Sequence, residues 1–116
     1  MKRIIIADDD PGIQDIMEII LKRAGYQATI YGNANALLCN NFDEPDIFLI
    51  DKQLPDADGM DVCRFLKRRE NTHTPVIMVS ASNRLNEQAK DAGADDFLEK
   101  PFKIKALLEK IQKLTA

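Results

Sequence analysis

Five side chains in this sequence are candidates for a reactive site. Asp8 and Asp9 stand at the end of the run IIIADDD, Asp51 follows IFLI, Ser80 follows VIMV and Lys100 follows FLE. Two carboxylates about 4 Å apart repel by about 4 kcal/mol at an effective dielectric near 20. A chain tolerates that at an exposed tip, at a helix N-terminus or around a cation. Taken singly, each group has an ordinary explanation. Asp8, Asp9 and Asp10 before Pro11-Gly12 read as a turn and helix cap, Asp51 as a loop acid, Ser80 as a cap and Lys100 as a surface lysine. Each follows a separate apolar run, however, and in that combination they read as a site. The carboxylate oxygens are hard ligands suited to Mg²⁺, which keeps several waters and leaves a place for a phosphoryl oxygen.

That reading requires the apolar runs to be strands whose ends meet. Arg3–Ala7 is a short β-branched run. Over Pro11–Ala24 the period changes: Ile13, Ile16, Met17, Ile20 and Leu21 fall on one helical face. Asp10 suits the cap of that helix, Pro11 its first position and Gly25 its end. Further strands are predicted at Tyr26–Tyr31, Asp46–Ile50, Pro75–Val79 and Asp95–Glu99. Further helices are predicted at Asn33–Asn41, Met60–Arg69 (Val62, Phe65 and Leu66 inward), Asn83–Ala92 and Lys103–Leu114 (Ile104, Leu107, Leu108 and Ile111 inward). Continuous apolar strands joined by helices imply a parallel sheet covered on both faces, with right-handed crossovers. The expected fold is a doubly wound, five-stranded flavodoxin-like α/β sheet in the order 2-1-3-4-5. Ligands in such folds sit beyond the carboxyl ends of the strands, and strands one and three are neighbours, so Asp8, Asp9 and Asp51 should converge there.

Composition narrows the class. The 116 residues suit one domain, 45% are hydrophobic, and the net charge of −3 gives no reason to expect nucleic-acid binding. No apolar run approaches the 18 residues of a membrane span, and MKRIIIADDD lacks the long apolar region of a signal peptide. Cys39 and Cys63 have no metal-type spacing, which points to a reduced, cytosolic protein with two buried thiols.

The pieces IIIADDDP, LIDKQLPDADGMD, VIMVSAS and GADDFLEKPF carry a resemblance to the receiver domain of two-component response regulators over nearly the whole chain. The resemblance implies that Asp51 is the phosphoacceptor and that Asp8, Asp9, Asp51 and the backbone carbonyl of Gln53 hold Mg²⁺. It implies that Ser80 and Lys100 contact the phosphoryl group and that Ser80 and Phe97 form the switch. Gln53 and Ser82 then tune the lifetime of the phosphate, and Lys100–Pro101 is a cis bond. Asp10 falls at a frequent third acidic position of the family, and its residue type suits capping. The implied donor is a sensor histidine kinase or a histidine phosphotransfer protein. The implied output runs through the face of the fourth helix, fifth strand and fifth helix to an unknown partner, without direct contact to nucleic acid or membrane. Residues 1–116 are expected to be a single receiver domain with no output domain.

Several signals are weaker. His73, in ENTHTP, reads as an exposed loop residue. Arg64, Lys67, Arg68 and Arg69 read as a solvated helix end whose dipole favours cations. Ser80 keeps the hydroxyl of the commoner threonine, whereas Phe97 lacks that of the commoner tyrosine. The segment Ser82–Gly93 is short for the family. One rival is an Asp-nucleophile phosphatase, but such enzymes commonly place an acid two residues after the nucleophile, where this chain has Gln53. Another is a degenerate receiver that only docks partners, but all five site groups are present.

Overall fold

The structure, a computed structural model, describes residues 1–81 and 86–116, the side chains of residues 86 and 87 excepted. Ser82 and the first part of the predicted fourth helix lie outside the described residues. The elements alternate as β1 (Arg3–Ala7), α1 (Pro11–Arg23), β2 (Gln27–Tyr31), α2 (Asn35–Leu38) and β3 (Ile47–Asp51), followed by α3 (Gly59–Arg68), β4 (Val76–Ser80), α4 (Asn86–Asp91), β5 (Asp96–Glu99) and α5 (Ile104–Thr115). All pairings are parallel and the sheet order is β2-β1-β3-β4-β5, as the alternation predicts. The Lys100–Pro101 bond is cis.

Side chains alternate across a strand, so the apolar runs build two cores. Ile5, Ala7, Phe48, Ile50, Val76 and Met78 meet Leu37, Val62, Cys63, Leu66 and Ala89 from α2, α3 and α4, with Ala92 just past α4. Ile4, Ile6, Ile47, Leu49, Ile77, Val79 and Leu98 meet Met17 and Leu21 of α1 and Leu107 and Ile111 of α5. Each Val, Leu, Ile, Phe or Met among them, fully buried, is worth about 1.5–3 kcal/mol of transfer free energy. Burial on both faces explains why β1, β3 and β4 are apolar throughout rather than alternating.

Four expectations change. Ile16 is 51% exposed, because at 100° per residue it lies about 100–140° from the line of Met17 and Leu21. Ile104 is 52% exposed; it opens α5 one turn before the covered Leu107. The second helix shrinks to Asn35–Leu38, with Asn40 in the left-handed region at φ 55°, a conformation asparagine tolerates. Cys39 ends that helix and is exposed, so only Cys63 is a buried thiol.

The basic cluster is also more than a solvated helix end. Arg64 pairs with Asp61 at 2.9 Å and Lys67 with Asp95 at 2.9 Å. Arg69 leaves the end of α3 to hold both oxygens of Glu44, at 2.8 and 2.9 Å, and its guanidinium lies over the rings of Phe42 and Phe48. His73 is exposed, as expected.

Candidate functional site

The three consecutive aspartates have three different settings. Asp8 is buried just past β1, where its N–H donates to the Tyr31 carbonyl at 3.0 Å. One carboxylate oxygen accepts from the Asp10 N–H at 2.9 Å and the other from the Lys100 ammonium at 2.9 Å. The carbonyl of Asp8 accepts from the Gln14 side-chain amide at 2.6 Å. Asp9 is exposed at the mouth. Asp10 caps α1, accepting from the N–H groups of Gly12 at 2.8 Å and Ile13 at 3.3 Å.

Asp51 ends β3 and is 8% exposed. Parallel pairing of β1 with β3, Ala7 opposite Ile50, brings it beside the acid pair. Asp8, Asp9 and Asp51 each offer an oxygen, and these atoms lie within 4.8 Å of one another. Lys100 Nζ stands 3.4 Å from the Asp51 carboxylate, and the Gln53 backbone N–H also donates to it. Burial, then the Asp8 charge, push the Asp51 carboxyl above its ordinary range despite these bonds. Burial works against the charge on Lys100, but its bond to Asp8 and both acids' charges prevail and hold its pKa above the ordinary value. Among the described residues, one ammonium therefore stands against three carboxylates. An all-oxygen donor set with surplus negative charge fits a hard cation such as Mg²⁺.

Ser80 ends β4 and is buried, one residue past the Asp51–Val79 pairing, so it flanks Asp51 on the neighbouring strand. Its carbonyl accepts from the Lys100 N–H at 2.7 Å. Phe97 is half-buried in β5 opposite Met78 and packs on the core beneath α3 and α4. An open cleft of about 300 Å³ is lined by Asp9, Asp10, Asp51, Gln53, Leu54, Pro55 and Lys100. The expected residues Asp8, Asp9, Asp51, Gln53, Ser80 and Lys100 thus gather at one edge of the sheet.

The loop between β3 and α3 contains site-building residues that the sequence reading passed over. Lys52 Nζ meets Asp58 at 2.7 Å, and Asp58 also caps α3 by accepting from the Met60 N–H at 2.8 Å. Burial disfavours charge on Asp58, but the bonds from Lys52 and Met60 outweigh it and hold the carboxyl below its ordinary range. Asp56 accepts from the Ala34 N–H at 2.8 Å. A Cβ on Gly59 would fall on the Asp51 carbonyl oxygen, so only glycine lets α3 start this close. Asp58 before an apolar-periodic run is a capping signal that could have moved the predicted helix start back by one residue.

An acid cluster with a lysine at the carboxyl edge of a 2-1-3-4-5 parallel sheet defines a class: a flavodoxin-like domain with a cation-ready site. A model of the response regulator receiver domain matches residues 4–112, and the chain belongs to that family. It is a receiver domain of two-component signalling. It is 40% identical over 119 residues to the DNA-binding dual master transcriptional regulator RpaA of Synechocystis sp., aligning 98% of this chain with 49% of that protein. The chain spans about half the length of the curated relatives it matches. A Francisella response-regulator receiver domain superposes with a TM-score of 0.89 at 30% identity, covering 99% of this chain and 97% of that one. The receiver domain of a Pseudomonas aeruginosa sensor histidine kinase, solved with a magnesium ion coordinated in its active-site cleft, superposes at 0.88 with 28% identity, covering 98% and 97%.

Proposed function

We propose that this receiver domain accepts a phosphoryl group on Asp51. The observation that carries the reading is the convergence of Asp8, Asp9 and Asp51 within 4.8 Å around a single lysine. Of the three acids, Asp51 suits the acceptor. Asp8 lies outside the cleft lining and is the nearer partner of Lys100, at 2.9 Å against 3.4 Å, while Asp51 lines the cleft. Asp9, exposed and outside the sheet, suits a ligand rather than an in-line nucleophile.

Asp8, Asp9, Asp51 and the Gln53 backbone carbonyl would hold Mg²⁺. Bound there, it supplies positive charge against the phosphoryl oxygens. The chain's own residues do the rest, since phosphoryl transfer depends mainly on positioning and charge stabilisation. An Asp51 oxygen attacks phosphorus in line, the bond to the donor breaks, and the donor keeps the electron pair; the product is an acyl phosphate. Lys100 moves its charge from the carboxylates toward the phosphoryl oxygens. Ser80 donates its hydroxyl to one of them, and Phe97 turns into the space that this movement frees. Gln53 and Ser82, two residues past Asp51 and Ser80 in the sequence, tune how long the phosphoryl group stays on the acceptor.

The donor is a sensor histidine kinase or a histidine phosphotransfer protein, and the output partner meets the α4–β5–α5 face. The domain acts on itself in the cytoplasm, without multiple turnover of an external substrate and without direct contact to nucleic acid or membrane. Intact mass spectrometry with acetyl phosphate and Mg²⁺ tests the assignment. The wild type should gain one phosphoryl group, and Asp51→Asn none. An adduct that persists in Asp51→Asn overturns it.

A further inference from the structure

We propose that Lys52 is a positioning residue for the acceptor: its ion pair with Asp58 clasps the β3–α3 loop and so fixes Gln53 against Asp51. The inference rests on the reading of Asp51 as acceptor and adds to it a residue outside the cleft lining. Lys52 follows the acceptor directly, and its own N–H is anchored to the Val79 carbonyl at 2.8 Å. Its side chain crosses the loop to Asp58 at 2.7 Å, with 22% of the lysine side chain exposed. The same two ends are joined by a backbone bridge between Gln53 and Asp58 and by the Gly59 N–H donating to the Lys52 carbonyl at 2.7 Å. Gln53, at the first of those ends, is the residue whose N–H reaches the Asp51 carboxylate. Gln53 itself is exposed and is held through its backbone bridge to Asp58, so its place depends on the loop closing around it. Asp58 is shared: one oxygen takes Lys52 and the other caps α3, so the clasp ties the loop to a rigid helix start.

A partly exposed ion pair shifts a local equilibrium by about two- to fivefold and is weakened by salt. Lys52→Met keeps the stem and deletes the charge, while Lys52→Arg restores it. Amide hydrogen exchange at Gln53 and Gly59 should quicken about two- to fivefold in Lys52→Met and return toward wild type in Lys52→Arg. Salt should speed that exchange in the wild type and leave Lys52→Met unchanged, a response that lost packing would not produce. Acetyl phosphate should modify Asp51 more slowly in Lys52→Met by a similar factor, with the thermal midpoint little changed. Wild-type exchange rates in Lys52→Met, or failure of Lys52→Arg to restore them, overturn the clasp whether or not Asp51 is modified. Absence of any adduct on the wild type instead overturns the acceptor reading, while the exchange data still decide the clasp.

Discussion

At the scale of the residue, Asp51 is held in a state that costs stability. Its carboxyl sits above the ordinary range because burial and Asp8 oppose its charge. The folded chain thus binds this proton more tightly than the unfolded one. The penalty is absent below the ordinary carboxylate range and complete once pH exceeds the raised value. Like charges about 4 Å apart cost about 1 kcal/mol even when fully hydrated. Asp51→Asn should therefore raise Tm at pH 7 by about 4 °C in a domain of this size. The gain should fade as pH drops through the carboxylate range, and an equal gain at pH 3 would refute this account. The cysteines give a second test. Burial pushes the Cys63 thiol up to about 11, whereas Cys39 is exposed. A thiol reagent at neutral pH should modify one cysteine per native chain and two in denaturant. Residue types and order made the reactive groups legible in the sequence, but the difference between the two thiols was not, since it depends on how early α2 ends.

At the scale of the element, boundaries were legible wherever an apolar run met a charge. β1 follows its predicted span, and β3 and β4 each start and end one residue later than predicted, taking in Asp51 and Ser80. What stayed hidden were contacts between elements that periodicity does not encode. Arg69 pairing with Glu44 over two rings is one, and Gly59 under the Asp51 carbonyl is another. Gly59→Ala forces β3 and α3 apart at Asp51 and should cost about 2–3 kcal/mol by chemical denaturation. Loss of the α1 cap in Asp10→Ala should cost about 1 kcal/mol, with no change in the ion pair between Lys100 and Asp8. A Gly59→Ala variant as stable as the wild type would show that the loop can give.

At the scale of the whole molecule, sheet order and the gathering of the site at one edge followed from the alternation of elements and from the resemblance. The side on which each helix packs came only with the structure. Output should run from Ser80 and Phe97, which stand on adjacent strands, to the face of α4, β5 and α5. A phosphoryl group biases two states only through contacts that differ between them. In the proposed switch those contacts are the hydroxyl of Ser80 and the ammonium of Lys100, and the expected result is a population shift of a few kcal/mol. Ser80→Ala should still be modified at Asp51 yet move Phe97 less. Amide spectra of residues 86 to 108, with and without phosphodonor, read this directly. Changes confined to Asp8, Asp9 and Asp51 would sink the route.

The crowding of three acids around one ammonium also bears on how long a chain survives. A ligand that binds only the folded form lowers the unfolded fraction by the factor 1 + [L]/Kd. Protease attack on the opened form follows that fraction when reclosing is fast. Trypsin should accordingly digest the wild type about tenfold more slowly at a Mg²⁺ concentration ten times its Kd. Asp9→Asn, at the same Mg²⁺ concentration, should lose most of that protection. With a cation held there as proposed, the unliganded chain would be the more perishable form, and its half-life would lengthen as the divalent-ion level of its surroundings rises.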